Sequence, residues 1–351
     1  MSIFSEAEST VFKNEEVLST EYLPELLPCR EGEVEQLKDS LLPASKGRMP
    51  QNTFLFGPPG IGKTATVKFV FREFEEFSEK VKTVYLNCWD YKTANAIFSK
   101  ITLDLSSFSL RAMSKDEVIE KFAEACNKTR KGIVVCLDEV DQLEQEALYD
   151  LLRINQYVKN PFGIVFISNN PYVFAEADSR IRSSLNIDEV EFKAYTLDEM
   201  KNILQKRVEQ AFRSVEQGVV LLAANHAIKN GGDVRIGLEC LLKAGRNAEK
   251  ENSDRVEVKH VKEVLAKIGP VKPKILEEKV GEVEKIILEI VKEKKKLFSG
   301  ELYDFYCKKV EAPISERAFR DYVNHLAEIN LIKIVERKRG VKGKRRTISL
   351  A

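Results

Sequence analysis

Residues 57–64 read GPPGIGKT, and this short loop sets the interpretation of the whole chain. The spacing GxxxxGK[ST] is typical of a phosphate-binding loop, in which glycines let the backbone curl so that its N–H groups point at phosphate oxygens. An apolar run at 53–56 precedes the loop and a helical pattern follows from Lys63, which is the context that the motif requires. We therefore expect Lys63 to neutralise the β- and γ-phosphates at a helix N-terminus, and the Thr64 hydroxyl to ligate Mg²⁺.

Short apolar runs alternate with helical patterns through the first 193 residues. The runs that are typical of buried strands lie at 53–56, 84–88, 133–137 and 164–168, with a weaker one at 187–192. Residues 31–42 are an example of the helical patterns between them. Because alternating strands and helices give a parallel sheet covered on both faces, the sequence predicts a five-stranded α/β domain over residues 1–193.

Polar side chains follow two of these runs. Asp138 and Glu139 end the run at 133–137, where Asp138 would hold Mg²⁺ and Glu139 would orient a water against the γ-phosphate. Asn169 follows the run at 164–168, and it faces the γ-phosphate if that strand lies between the other two. Asn170 is the alternative for this role.

An all-helical block follows, which we assign to residues 194–270. Thr196 and Glu199 form a capping box, Gly231 and Gly232 end a second helix, and Asp233 can cap a third helix over 234–249. Arg235 lies in the first turn of that third helix, where its side chain is not needed for packing. A fourth helix covers roughly 257–268, and the prolines of GPVKPK at 269–274 indicate a linker.

The block at 271–351 has the pattern of a winged helix. In the helix predicted at 315–329, Phe319, Val323 and Leu326 face inward, and two strands follow with a basic, glycine-containing tip between them. A helix in the major groove with a wing along the backbone is a common DNA-binding geometry. The candidate DNA-binding residues are Arg317, Arg320, Asn324, Arg337, Lys338, Arg339, Lys342, Lys344, Arg345 and Arg346. A solvated basic tail and a protein-binding winged helix are the alternatives.

Composition excludes several classes of protein. The 351 residues carry a net charge of +1, with 19 basic and 13 acidic residues in 274–351 and an excess of five acidic residues before it. No apolar run reaches the ~18 residues of a membrane span, and residues 1–20 lack the features of a signal peptide. The six cysteines show no CxxC spacing, which argues against zinc and disulfides. We expect a cytoplasmic, nucleoid-associated protein in which His226, His260 and His325 are structural.

Together these motifs resemble the AAA+ ATPases, and more closely the archaeal initiators related to the eukaryotic origin recognition complex and the cell-division-cycle helicase loader. The resemblance spans nearly the whole chain. The segments that carry it are Tyr22-Leu23-Pro24, Arg30-Glu31, GPPGIGKTA at 57–65, LDEVDQL at 137–143, ISNN at 167–170, RIRSSL at 180–185, YTLDEM at 195–200, GGDVRIGLECLLKAG at 231–245 and the carboxy-terminal winged helix.

The resemblance implies a role for particular residues. Tyr22, Pro24 and Arg30 would line the adenine side, Tyr195 and Arg207 would close on the nucleotide from the helical lid, and Asn169 and Arg235 would be the two sensors of the γ-phosphate. The loop residues that would bind nucleotide are Gly57, Pro58, Pro59, Gly60, Ile61, Gly62, Lys63, Thr64 and Ala65.

The resemblance also implies an activity: an AAA+ base, an all-α lid and a winged helix that together form a slow ATPase. ATP and ADP, with Mg²⁺, would switch the binding of origin duplex DNA and the recruitment of the replicative helicase, and a paralogous initiator would be a further partner. The rival functions are an AAA+ motor of the clamp-loader or transposition-helper type, and a helicase-binding adaptor or regulator without origin preference.

Two positions depart from the family pattern. Ile61 replaces a commoner Thr in the phosphate loop, where the backbone does the work. Ser184 stands where eukaryotic relatives carry an arginine used in trans, so Arg180 or Arg182 would substitute, or no stable ring forms. The family also places a DNA-contacting insertion at 91–115, where Lys100, Arg111 and Lys115 are the available charges.

Overall fold

The computed structural model describes residues 11–106, 113–175, 181, 185–267, 281–294, 296–310, 313–328, 332–337 and 345–350. The chain divides into two units, residues 1–268 and 269–351, which are described separately.

A parallel five-stranded sheet forms the centre of the first unit and confirms the predicted fold class. Its strands are β1 (Asn52–Phe56), β2 (Val81–Asn87), β3 (Gly132–Asp138), β4 (Phe162–Ser168) and β5 (Ile187–Glu191). Their order is β2-β3-β4-β1-β5, so β4 lies between β1 and β3, as the argument for Asn169 requires. The second strand begins three residues before the predicted run because Lys82 and Thr83 interrupt its apolar pattern.

Helices cover both faces of the sheet. The helices of the base are α1 (Glu31–Leu41), α2 (Lys63–Phe77), α3 (Ala94–Leu105), α4 (Lys115–Thr129) and α5 (Gln145–Arg153). The first two bury apolar side chains against one face, and the other three bury theirs against the opposite face. All seven residues of β3 and of β4 are therefore buried, which explains their continuous apolar runs.

Four helices form the lid, and they confirm the all-helical interpretation. They are α6 (Leu197–Ala211), α7 (Val219–Lys229), α8 (Val234–Lys250) and α9 (Val258–Lys267). The Thr196–Glu199 capping box starts α6. The side chain of Asp233 accepts a hydrogen bond from the backbone N–H of Arg235 and starts α8.

Residues 11–18 run along the lid, and we call them the N-terminal strap. Backbone bonds fasten the strap to the end of α6: Lys13 N–H donates to Ala211 O at 2.8 Å, and Arg213 N–H donates to Val11 O at 2.9 Å. Phe12 packs on Phe212 with ring centroids 4.9 Å apart. Gly245 of α8 provides the space, since a Cβ atom there would overlap both rings.

The second unit is a winged helix, as predicted. Its elements are α10 (Glu282–Lys294), β6 (Lys296–Phe298), α11 (Ser299–Lys309), α12 (Glu316–Glu328), β7 (Ile332–Arg337) and β8 (Arg345–Leu350). The three strands form an antiparallel sheet in the order β6-β8-β7. Phe319, Val323 and Leu326 of α12 are buried in its core, as the helical spacing predicts. Within the described residues, no helix is both long and apolar enough to span a bilayer.

A matched pair of glycine substitutions tests the fastening of the strap. We expect Gly245→Ala to lower the free energy of unfolding by about 1–3 kcal/mol, because the added methyl group overpacks the Phe12–Phe212 contact. Gly32→Ala in α1 is the control, since a Cβ atom at Gly32 meets no atom within 4 Å. Urea denaturation of both variants measures the difference, and equal stabilities would contradict the packing described here.

Candidate nucleotide-binding site

A cavity of about 820 Å³ opens at the carboxyl ends of the strands in the first unit. Three parts of the chain line it: residues 20–28, the phosphate loop with the adjacent strand ends, and the first and third lid helices. Parallel strands present their carboxyl ends at one edge of a sheet, so this cavity lies where α/β proteins bind ligands. Of the predicted residues, the cavity is lined by Tyr22, Pro24, Pro59, Gly60, Gly62, Lys63, Thr64, Ala65, Asp138, Glu139, Asn169, Tyr195, Arg207 and Arg235.

The phosphate loop depends on glycines that touch other parts of the chain. Gly57 has φ +146° and Gly60 has φ +70°, a region that favours glycine. A Cβ atom at Gly57 would overlap the carbonyl oxygen of Phe192, and one at Gly60 would overlap the carboxylate of Asp233. The loop is therefore held between the segment after β5 and the start of α8. Ile61 is fully buried, so its side chain packs beneath the loop while its backbone contributes to it.

Lys63 directs its ammonium group into the loop. Its Nζ donates to Gly57 O at 2.8 Å, to Pro58 O at 2.7 Å and to Asn169 Oδ1 at 2.8 Å. Burial lowers the pKa of Lys63 to about 8, although the nearby carboxylates Asp138 and Glu139 oppose the shift. The ammonium group of Lys63 therefore bonds both to the loop and to Asn169, the first predicted sensor. A phosphate would compete with these acceptors for the ammonium group.

The carboxylate of Asp138 has three hydrogen-bond donors. Thr64 Oγ1 donates to Asp138 Oδ2 at 2.6 Å, Tyr85 OH donates to the same oxygen at 2.7 Å, and Glu139 N–H donates to Oδ1 at 2.9 Å. Burial raises the pKa of Tyr85 above its usual range, and the charge of Asp138 raises it further. This hydroxyl therefore stays protonated and remains a donor.

The oxygens of Thr64 and Asp138 suit Mg²⁺. This ion prefers oxygen ligands and is commonly held by one or two carboxylates together with substrate phosphates. In the part of the chain that the structure describes, no group of three or more His, Cys, Asp or Glu side chains is arranged to hold a metal alone. The donor set thus fits a magnesium ion that phosphate oxygens help to bind.

Glu139 and Asn169 lie together beside this group. Asn169 Nδ2 donates to Glu139 Oε2 at 3.3 Å, while the Asn169 oxygen accepts from Lys63. The pKa of Glu139 is raised, first by burial and then by the charges of Asp138 and Asp141. The rival Asn170 does not join this group through its side-chain oxygen, which instead accepts from the backbone N–H of Tyr172 at 2.9 Å.

Arg30, expected at the adenine side, and Arg207, expected to close on the nucleotide from the lid, lie in different surroundings. Arg30 is only 5% exposed, and its guanidinium donates to Ile61 O and to Lys193 O and stacks on the Tyr195 ring, 3.9 Å from the centroid. Arg30 therefore bonds to the backbone of the phosphate loop and does not line the cavity. Arg207 does line the cavity: it donates to Tyr22 O at 3.3 Å and lies over the Tyr22 ring at 4.9 Å.

Arg235 and its neighbours bring the lid to the phosphate loop. Val234 N–H donates to Gly60 O at 3.0 Å, which is a backbone hydrogen bond between α8 and the loop. The guanidinium of Arg235 pairs with Asp233, with Nη2 2.7 Å from Oδ2. The predicted second sensor therefore lines the cavity while its charge is balanced by the residue that caps its helix.

Sequence reasoning missed three residues on the wall formed by α2 and β2. Lys68, Tyr85 and Asn87 all line the cavity. Tyr85 and Asn87 pair with Cys136 and Asp138 across the parallel strands, so the alternation of side chains places them on the face of Asp138. The alternation of side chains along the predicted strand could therefore have indicated that Tyr85 and Asn87 lie at the site.

The candidate DNA-binding residues are only partly described. Arg317, Arg320 and Asn324 are exposed on the face of α12 opposite its buried residues, and Arg320 pairs with Glu316 at 2.6 Å. Arg337 lies opposite Arg345 across β7 and β8, and Arg346 lies opposite Glu336. Lys338, Arg339, Lys342 and Lys344 lie outside the described residues.

The remaining predicted cationic residues belong to the proposed insertion and to the proposed trans finger. Arg111, Arg180 and Arg182 lie outside the described residues. In the segment 91–115, Lys100 pairs with Asp104 at 2.5 Å, and Lys115 pairs with Asp150 at 2.6 Å. Lys100 and Lys115 therefore have carboxylate partners within the protein, whereas the Nζ atom of Lys92 lies 5.2 Å from the centroid of the Trp89 ring.

The buried ammonium group of Lys63 should make the stability of the nucleotide-free protein depend on pH. Its pKa is about 8 in the folded chain and ~10.4 when exposed. The unfolded chain therefore binds more protons between these pH values, and the contribution of Lys63 to the free energy of unfolding rises with pH through that window. The difference between these two pKa values sets an upper limit of about 3 kcal/mol on this contribution.

Urea unfolding of the wild type and Lys63→Met, at pH values from about 7.5 to about 10.5, measures this contribution. The wild type should gain stability relative to Lys63→Met as the pH rises. Parallel pH profiles for the two proteins would contradict the assignment of a lowered pKa.

Comparisons with known proteins find relatives of both the base and the lid. Residues 48–171 match the AAA domain family, and residues 201–266 match the Cdc6 AAA+ ATPase-type lid domain. The ORC1-type DNA replication protein 1 of Archaeoglobus fulgidus is 35% identical over 379 residues, which cover all of this chain and 91% of the relative. The ORC1-type DNA replication protein of Pyrococcus abyssi is 32% identical, over 97% of this chain and 87% of the relative.

Solved structures show the same fold. The Aeropyrum pernix ORC1 protein in complex with DNA superimposes with a TM-score of 0.76 and 29% identity, over 98% of this chain and 94% of that chain. The ORC2 protein of the same organism, solved as ADPNP–ADP complexes, has a TM-score of 0.75 at 21% identity, over 97% of this chain and 94% of that chain, and supports the fold alone. On its sequence, its lid and its phosphate loop, this chain belongs to the archaeal ORC1-type DNA replication proteins of the AAA+ ATPases.

Proposed function

We propose that this chain is an ATP-dependent initiator of chromosomal DNA replication. It binds duplex DNA at an origin and helps to recruit the replicative helicase, and ATP and ADP set its state. The observation that carries the proposal is the contact of α8 with the phosphate loop, because the N-terminus of this lid helix and Arg235 meet the loop at one cavity. A triphosphate in the cavity would thereby act on the lid as well as on the base.

Each part of the cavity has a chemical task. The loop N–H groups and Lys63 bind the phosphates, and residues 22–24 with Tyr195 and Arg207 hold the nucleoside side. Thr64 and Asp138 hold Mg²⁺, which neutralises charge on the phosphates when it is bound. Glu139 accepts a proton from the attacking water, and Asn169 orients that water from its position between Glu139 and Lys63.

Arg235 acts as the residue that senses the γ-phosphate. Its exposed guanidinium is paired with Asp233, whose carboxylate also touches the loop at Gly60. A γ-phosphate gives the guanidinium a second anionic partner, so the lid is drawn to the triphosphate more strongly than to the diphosphate. With slow hydrolysis, ATP regulates the state of the protein and does not drive repeated cycles of movement.

The winged helix supplies the grip on DNA. The exposed face of α12 carries Arg317, Arg320 and Asn324. Arg337 at the end of β7 pairs in register with Arg345 at the start of β8. The Aeropyrum pernix ORC1 protein that resembles this chain was solved in complex with DNA, which supports the same ligand here. The domains proposed for these tasks are 1–193, 194–270 and 271–351.

Further partners and surroundings follow from the same proposal. We propose the replicative helicase and a paralogous initiator as protein partners, and a cytoplasmic, nucleoid-associated location. Arg180 and Arg182 remain the proposed candidates for a finger acting in trans.

The nucleotide site is tested by Lys63→Ala. We expect nucleotide affinity to fall at least about tenfold, since the variant loses a buried ammonium group that would bind phosphate. Equilibrium binding of fluorescent ATP and ADP measures it, with Lys46→Ala as an exposed control outside the cavity. Full affinity in Lys63→Ala would overturn the site assignment.

The DNA interface is tested by the double substitution Arg317→Ala and Arg320→Ala. Each lost phosphate contact should lower the slope of log affinity against log salt by about 0.9 in magnitude. Fluorescence anisotropy on an origin duplex and on a random duplex, from low to moderate salt, measures affinity and slope together. Lys308→Ala on the exposed side of α11 is the control. An unchanged slope in the double variant would exclude these two arginines from the phosphate contacts.

A further inference from the structure

The hydroxyl group of Tyr85 contacts the carboxylate of Asp138 from the neighbouring strand. Tyr85 lies on β2, one strand away from Asp138, and its hydroxyl reaches across to donate to Asp138 Oδ2 at 2.7 Å. Asp138 is only 4% exposed, so water cannot readily replace this donor.

The same oxygen of Asp138 is shared by two hydroxyl groups. Thr64 Oγ1, the proposed magnesium ligand, donates to Oδ2 at 2.6 Å. When Thr64 gives a lone pair to a metal, its proton still points at the carboxylate, so this bond and the metal bond are compatible. Tyr85 and Thr64 therefore both orient the Asp138 carboxylate through its Oδ2 atom. Their two hydroxyl groups together determine where a cation can bind.

Two further contacts fix Tyr85 itself. The Nζ atom of Lys68 lies 4.6 Å from the centroid of the Tyr85 ring, and Lys68 is one helical turn after Thr64 in α2. The backbone of β2 pairs with β3 through the whole of 81–87, so the ring starts from a rigid strand. Because β2 and the Lys68 side chain fix its ring, the Tyr85 hydroxyl can hold the Asp138 carboxylate in one orientation.

We propose that Tyr85 is a positioning residue for Mg²⁺: its hydroxyl orients the Asp138 carboxylate so that, together with Thr64, it binds the ion that accompanies ATP. This inference rests on the proposed ATP-dependent function. Partners of a metal ligand of this kind fix its orientation, and their removal typically costs 10–100-fold in metal affinity. Tyr85 lines the cavity, but its hydroxyl is directed at Asp138. Loss of that hydroxyl should therefore change the magnesium requirement far more than the binding of metal-free nucleotide.

The test compares Tyr85→Phe with the wild type in titrations of fluorescent ATP at a series of free Mg²⁺ concentrations and in EDTA. The free Mg²⁺ that gives half of the Mg²⁺-dependent gain in affinity should rise about tenfold in Tyr85→Phe, with affinity in EDTA within about twofold of wild type. Tyr157→Phe, an exposed tyrosine outside the cavity lining, is the matched control and should behave as wild type. Thermal unfolding of each variant shows whether it is folded under these conditions.

The other outcomes separate the inference from the proposed function. An unchanged magnesium requirement in Tyr85→Phe would overturn the inference alone. A lower requirement would also overturn it, because the hydroxyl would then compete with the metal. An equal loss of affinity with and without Mg²⁺ would place Tyr85 at the nucleotide or in the fold instead. Wild-type protein that binds no nucleotide under either condition would overturn both the proposed function and this inference.

Discussion

The hydrogen bond between the phosphate loop and the lid is the constraint on which the rest of this structure depends. Val234 N–H donates to Gly60 O at 3.0 Å, and Gly60 lies so close to Asp233 that no Cβ atom fits between them. A backbone-to-backbone bond has little freedom to lengthen or tilt, so a change in the loop changes the position of α8. The nucleotide state can therefore be expressed as a lid position without any long relay through the protein.

Electrostatics make that junction sensitive to phosphate. The cation of Lys63 and the carboxylates of Asp138 and Glu139 line one cavity with Arg235. Lys63 and Arg235 each already have a protein partner, Asn169 for Lys63 and Asp233 for Arg235. Under the proposed function, anionic phosphates would replace some of these internal bonds with stronger charge-assisted ones. Under the proposed function, these groups would be preorganised for a triphosphate with its cation. Their protein partners leave Lys63 and Arg235 without an unpaired charge.

Much of this could be predicted from sequence because the information is local. The phosphate loop, the acidic end of β3, Asn169 and the capped start of α8 each occupy a few consecutive residues with a defined chemical pattern. What sequence could not give was the distant partner. Arg30 donates to carbonyls at residues 61 and 193, and nothing near Arg30 marks those acceptors. Gly245 is a second example. A Cβ atom there would overlap the rings of Phe12 and Phe212, and nothing in the sequence around Gly245 indicates that these rings are close.

The strap has a consequence for how the chain is made. Phe12 and Arg213, which are joined by a hydrogen bond, are 201 residues apart, and Gly245 is further still. On a ribosome that adds roughly 5–20 residues per second, the strap emerges about 10–50 seconds before the helix that receives it. During that interval Val11, Phe12, Val17 and Leu18, all buried in the finished protein, have no surface to cover them. Nascent chains of this protein therefore expose an apolar segment until the lid has been synthesised, and chaperones that act during translation can recognise such a segment.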